Sequence, residues 1–202
     1  MTASPDNDQG GPRLVLASTS PFRRELLTRL GLPFETLSPE VDEQALPDES
    51  AAALVRRLAE AKARAGAAVA TDGIIIGSDQ VAVVDDRILG KPGSHERAQA
   101  QLAQLSGRRV TFLTGLCVLA ARSGDLQCDV VPYRVCFRAL TADQIDRYLR
   151  REQPYNSAGS FKSEGLGIAL FERMEGEDPT ALIGLPLIRL CTMLETAGIA
   201  VL

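Results

Sequence analysis

Residues able to do acid, base or ion-pair chemistry fall in a few short stretches of this chain. The first is Ser18-Thr19-Ser20-Pro21-Phe22-Arg23-Arg24, a loop that runs into a helix start. Free backbone N–H groups and the positive end of the helix dipole make such a turn an anion site. Arg23 and Arg24 are unfavourable there for an isolated helix, by a few tenths to about 1 kcal/mol each, and a bound polyphosphate would reverse that sign. The second is Lys62, four and eight residues beyond Leu58 and Leu54 and so on one helix face with them. A lysine on an apolar face either snorkels to water or meets an anion in a cleft. The third is Asp79, between the apolar runs Gly73–Ile76 and Val81–Val84. A carboxylate in so apolar a strand needs a partner, a metal or a raised pKa.

Weaker signals accompany these. Gly90-Lys91-Pro92 follows a hairpin but is no P-loop, since the spacing is wrong and proline follows the lysine. Ala158–Gly165 is a loop of small polar residues carrying Lys162 and Glu164, and residues 38–47 form an acidic loop with Glu40, Asp42 and Glu43. The lone histidine, His95, opens a polar-faced helix and reads as a surface residue, and tryptophan is absent. Histidine catalysis and His-rich zinc sites are therefore set aside. Several cations, glycine-punctuated loops and carboxylates suit phosphate chemistry with Mg²⁺ or Mn²⁺, whose hard oxygen ligands are carboxylates and phosphates. The residues by themselves point to a protein that binds or hydrolyses a phosphorylated small molecule.

Helices and strands must bring these stretches together. Strands are expected at Leu14–Ala17, Phe34–Leu37 and Ile74–Val84, the last interrupted at Gly77–Gln80, with Arg87–Leu89 returning as a hairpin arm. Further strands are expected at Val110–Ala121, Leu126–Arg138 and Ile168–Arg173, and Ile199–Leu202 reads as a closing strand. Helices are expected from Pro21 to Leu30 behind a Ser20 cap, from Ser50 to Val69, from Ser94 to Leu105, from a Thr141–Gln144 capping box to Arg151, and from Pro186 to Thr196. The pattern predicts an α/β class, a mixed β-sheet with flanking helices. Residues 1–13 read as a disordered tail and 14–202 as a single domain.

Bulk properties exclude several classes. With 202 residues, 45% apolar and 24% charged, the chain has the composition of an ordinary globular protein. A net charge of −4 and the lack of a basic stripe disfavour a nucleic-acid binder. No apolar run approaches the roughly 20 residues of a membrane span, and the N-terminal stretch has no apolar leader segment. Cys117, Cys128, Cys136 and Cys191 form no CxxC pair and read as thiols in a reducing cytoplasm.

In order and spacing the motifs resemble those of the Maf-like nucleotide pyrophosphatases. They are LASTSPFRRELL at 16–27, PEVDE at 39–43, Ala61-Lys62-Ala63, GSDQ at 77–80, GKP at 90–92, LSGRRVTFLTG at 105–115, AGSFKSEG at 158–165 and GLPL at 184–187. The resemblance implies two lobes around a central cleft and metal-assisted cleavage of a nucleoside triphosphate to monophosphate and pyrophosphate. It carries catalytic positions to Ser18, Arg23, Glu43, Lys62, Asp79 and Lys91, with Asp79 as the general base. Glu43 and Asp79 are also the metal-ligand candidates for Mg²⁺ or Mn²⁺, and base and ligand roles for Asp79 stay open. Three substrate-specificity positions read Phe22, Gln80 and Glu164, the pattern of the branch that acts on 7-methyl-GTP, which often has tryptophan where this chain has Phe22. An aromatic face attracts the cationic methylated base by about 0.5–2 kcal/mol, and Glu164 can accept from its N1–H and amine. The alternatives are a dTTP/UTP pyrophosphatase of the same family, or a regulatory protein of cell division acting by contact. The expected partner is a nucleotide, the expected location cytoplasmic, and a homodimer stays open.

Overall fold

The computed structural model describes residues 12–85 and 87–202. A tail at 1–13 was expected; residues 1–11 lie outside the described residues. Arg13 is docked, with its guanidinium on Glu35 at 2.7 and 2.5 Å and its carbonyl accepting from the Ile74 N–H.

Seven strands among the described residues form one mixed sheet. The first half of the chain gives β1 (Leu14–Ala17), α1 (Pro21–Thr28), β2 (Glu35–Leu37), α2 (Ala51–Val69), β3 (Ile74–Val84) and β4 (Arg87–Leu89). Then come α3 (His95–Leu105), β5 (Arg109–Ala120), β6 (Leu126–Phe137), α4 (Ala142–Glu152), β7 (Phe171–Glu175) and α5 (Leu187–Thr196). The sheet runs β2-β1-β3-β5-β6-β7, with β4 also on β3. β1 is parallel to β2 and β3, and the remaining pairs are antiparallel. The predicted α/β mixed sheet with flanking helices is borne out.

One edge of β3 positions the site. β1 pairs with its first part, ending at Ala17 opposite Gly77, and β4 pairs with its last part, beginning at Leu89 opposite Ala82. Ser78–Val81 between them have no strand partner on that edge among the described residues, so the ladder carries a gap there. The expected interruption at 77–80 is corrected. β3 is continuous because β5 pairs with it from Ile74 to Val83, satisfying the backbone through the polar run.

The core divides at the same place. Beyond the gap, Ala82, Val84, Leu102, Phe112, Phe137 and Leu149 belong to one buried cluster. Before it, α1 and α5 cover one sheet face over Leu16, Ile76 and Leu116, while α2 covers the other over Val15, Ile75 and Cys117. Two glycines let α2 lie directly on the strands: a Cβ at Gly77 would strike the Ala59 carbonyl oxygen, and one at Gly115 the Val55 carbonyl oxygen.

Other expectations shift. Leu166–Leu170 is a 3₁₀ turn, so the strand expected at 168–173 is Phe171–Glu175, and residues 199–202 form no strand. His95 is no free surface residue: Nδ1 meets the Tyr155 hydroxyl at 3.0 Å and Nε2 meets Asp146 at 3.1 Å. Cys117 and Cys128 are not both thiols. They stand opposite each other in the β5–β6 register, Cα atoms 4.2 Å apart, and form a disulfide, whereas Cys136 and Cys191 are free.

Candidate active site

Pleating sends alternate residues of β3 to opposite faces. Gly77 and Asp79 face α2, while Ser78 and Gln80 face a strap formed by residues 178–185. The site therefore uses both faces of the strand at its open edge.

On the α2 side, Lys62 is buried. Its Nζ donates to Asp79 Oδ1 at 2.6 Å and lies 2.6 Å from Glu43 Oε1. α2 begins at a Ser50 cap whose side chain accepts from the Ala53 N–H, and its Leu54–Leu58–Lys62 stripe faces the sheet. The sheet face thus dictates that the lysine turns inward, and the two carboxylates offset the cost of burying it. Asp79 Oδ2 takes no hydrogen bond among the described residues. Glu43 comes from the acidic loop, its side chain 61% exposed. The hydrogen bond from Lys62 holds its carboxyl below the ordinary carboxylate range against the effect of burial, with Lys91 and Arg23 adding attraction.

On the strap side, Ser20 caps α1 with Pro21 at its first position. One turn on, Arg23 donates from Nε to the Gly184 carbonyl at 2.9 Å and from Nη1 to Ser18 Oγ at 3.4 Å. Burial lowers the Arg23 pKa, and the charges of Asp79 and Glu43 oppose that. Ser78 Oγ shares the Gly184 carbonyl, at 2.9 Å, and also donates to the Gly115 carbonyl. The strap itself hangs on Asp178, which accepts from the Thr180 N–H and hydroxyl and from the N–H groups of Ile188 and Arg189.

Two carboxylates, a buried ammonium and an anchored guanidinium beside the gap in β3 form a charge-balanced polar cluster without histidine. Such a set neutralises phosphate oxygens and can take a proton from water.

A family model described as "Maf-like protein" matches residues 13–197. The chain belongs to the Maf-like family. It is 58% identical over 191 residues to a protein of Nitrosococcus oceani named 7-methyl-GTP pyrophosphatase, covering 95% of this chain and 96% of that one. A Pseudomonas fluorescens protein (strain Pf0-1) of the same name is 56% identical over 188 residues, 93% of this chain and 98% of its own. A third, from Polaromonas sp., also so named, is 57% identical over 187 residues, 93% of this chain and 85% of its own.

In this Maf-like chain the expected residues converge unequally. Lys62, Asp79 and Glu43 are in direct contact, as are Ser18 and Arg23. Lys91 is exposed and reaches Glu43 only through its field. Gln80 spends its amide on the strap, donating to the Ala181 carbonyl at 2.6 Å, the Thr114 hydroxyl at 2.9 Å and the Leu182 carbonyl at 3.2 Å. Glu164 is exposed, in a loop tied to α4 by the Lys162 N–H on the Tyr148 hydroxyl and the Leu166 N–H on Glu152. Phe22 is half-buried beside Arg23. Ser78, Thr114 and Asp178 were not singled out from sequence, although Asp178-Pro-Thr180 before an apolar run is a legible capping signal.

Proposed function

We propose that this protein hydrolyses 7-methyl-GTP to 7-methyl-GMP and pyrophosphate. The observation that carries the reading is the buried Lys62 ammonium held between Asp79 and Glu43 at the open edge of β3. In the proposed reaction a water oxygen bonds to the α phosphorus, the bond from that phosphorus to the α–β bridging oxygen breaks, and pyrophosphate leaves with the bonding electrons. Asp79 accepts the proton of the water at Oδ2, the oxygen left free by Lys62. Lys62 on Oδ1 keeps the carboxylate oriented and offsets its charge. Arg23, steered by Gly184, and Lys91 offset charge on the triphosphate and on the departing pyrophosphate. Ser18 donates a hydrogen bond to a phosphate oxygen.

The donor set fits a hard divalent cation. Among the described residues no three His, Cys, Asp or Glu groups gather into a complete cage, and Mg²⁺ commonly uses one or two carboxylates completed by substrate phosphates and water. Glu43, completed by substrate phosphates and water, is the residue that would hold Mg²⁺ or Mn²⁺, since Asp79 is committed through Oδ1 to Lys62 and through Oδ2 to the water; the ion when bound would supply charge neutralisation at the phosphates. For the base, Phe22 offers a π face to the cationic ring and Glu164 accepts from its N1–H and amine. Gln80 acts through the strap it holds. The names of the relatives at 56–58% identity support this substrate over dTTP or UTP. No helix among the described residues is long and apolar enough to cross a membrane. A cytoplasmic location belongs to the same reading.

The test is a nucleotide screen with Mg²⁺ or Mn²⁺, separating products and ranking kcat/KM. Monophosphate with pyrophosphate, and 7-methyl-GTP ahead of GTP, dTTP and UTP, is the expected result. Diphosphate with orthophosphate would mean that a different bond is cut, and a lead for dTTP or UTP would move the chain to the other branch.

A further inference from the structure

The acidic loop that supplies Glu43 has almost no packing of its own. From Asp42 to Asp48 every residue is exposed, Leu46 at 55% included. An exposed loop of seven residues does not hold a carboxylate to within hydrogen-bond distance of a buried lysine without an anchor. The anchor visible in the structure is ionic. Arg57, five residues before Lys62 on α2, donates from Nε to Glu49 Oε1 at 2.7 Å and from Nη2 to Glu49 Oε2 at 2.8 Å. The same Nη2 donates to the Gln44 carbonyl at 2.9 Å, on the residue next to Glu43. Glu49 in turn accepts from the Leu46 N–H at 3.0 Å, and Asp42 accepts from the Gln44 N–H at 3.0 Å. One guanidinium thus joins the beginning and the end of the loop to the helix that carries Lys62.

We propose that Arg57 is a positioning residue for Glu43: through the Gln44 carbonyl and the Glu49 carboxylate it sets the loop so that Glu43 meets Lys62 and Asp79. The assignment rests on the reading of Glu43 as part of the hydrolytic site. The Glu49 side chain is only 8% exposed although its loop is exposed, as a partner selected for a bidentate bond should be. Its carboxyl is held down to about 2 by the Arg57 hydrogen bonds first and the Leu46 N–H second, so the pair stays charged throughout the working range. Arg57 and Lys62 lie on one helix, so loop and lysine share a reference frame, and a displacement of about 1 Å can cost as much as 10²-fold in rate.

Arg57→Met keeps most of the stem and removes the fork. We expect kcat/KM for 7-methyl-GTP to fall about tenfold, within the range that misplacement produces. The melting temperature should move by less than about 4 °C, since a partly exposed pair contributes little to stability. Glu49→Gln should lower kcat/KM in the same direction by a smaller factor, and it carries the test if Arg57→Met fails to fold. The deciding measurement places each substitution in a Glu43→Ala background. There it should cost less than about twofold, because a residue acting through Glu43 has nothing left to position. The 7-methyl-GTP to GTP preference should not change. An undiminished tenfold loss in the Glu43→Ala background, wild-type rates in both single variants, or a changed base preference would each overturn the proposal. Wild-type turnover of Glu43→Ala alone would instead remove the reading beneath it.

Discussion

The two sides of the gap in β3 are built differently. On the side of β1, α1 and α2, the charged groups are all held by contacts: Lys62 by Asp79 and Glu43, and Arg23 by the neutral Ser18 hydroxyl and Gly184 carbonyl. On the side of β4, α3 and α4, Lys91 and Glu164 are exposed on loops that are braced to helices but not to the charged cluster. The groups assigned to bond cleavage, Lys91 excepted, are assembled before substrate arrives, whereas Lys91 for the phosphates and Glu164 for the base await it. Preorganised charge serves a transition state that all triphosphates share, whereas an open loop can be altered without disturbing it.

The strongest way to break that contrast is to empty its centre. Lys62→Met leaves Asp79 without its partner in a site that is 12% exposed at that side chain. Removing one member of a buried pair costs roughly 3–5 kcal/mol. A chemical-denaturation midpoint unchanged from wild type would show that the cluster is not held together by that contact. The same variant has a pH signature. Lys62 depresses the Glu43 pKa, so Glu43 ionisation and the pairing it permits are complete above the ordinary value near 4.5 and are lost as pH falls through the depressed one. Without Lys62 the Glu43 pKa rises, and the acid limb of the residual activity should move to higher pH.

Asp79→Asn is next. It keeps the shape and removes the proton acceptor, and turnover should fall by roughly 10²-fold or more, equally for methylated and unmethylated nucleotides. Single-turnover rates near wild type would pass the base role to Glu43. The smallest effect belongs to the far side of the gap. Glu164→Gln should erode the kcat/KM preference for 7-methyl-GTP over dTTP by about tenfold, the scale of one charged hydrogen bond, with little change in kcat for other nucleotides. An equal loss on every nucleotide would place Glu164 among the hydrolytic groups and erase the distinction between the two sides.

Local chemistry was legible where it is local. The Ser20 cap, Pro21 and the Thr141–Gln144 capping box can be read from neighbouring residues, and both capping-box bonds are formed. The turn of Lys62 toward the sheet follows from its stripe with Leu54 and Leu58, but the identity of its partners does not. Glu43 lies in a loop with no periodicity, and its place is set by Arg57, thirteen residues beyond Gln44. The continuity of β3 was invisible for a related reason. Gly77–Gln80 looks like a break until β5 supplies its hydrogen bonds from nearly forty residues away. The Cys117–Cys128 bridge depends on register alone, which the turn between the strands sets and which hydrophobic pattern does not report. His95 was misread because Tyr155 and Asp146 reach it from 60 and 51 residues along the chain.

The strands that carry both cores also tie them together. β3, β5 and β6 are 11, 12 and 12 residues long and pass uninterrupted beneath the gap. Among the described residues, these three hydrogen-bonded ribbons coil without a break from one half of the sheet to the other. α2, seated on Gly77 and Gly115, is clamped against the middle of that coil like a splint. A bulkier residue at Gly77 would strike Ala59 and Ala63 on α2, which flank Lys62, and so would displace the ammonium without replacing a single charged group.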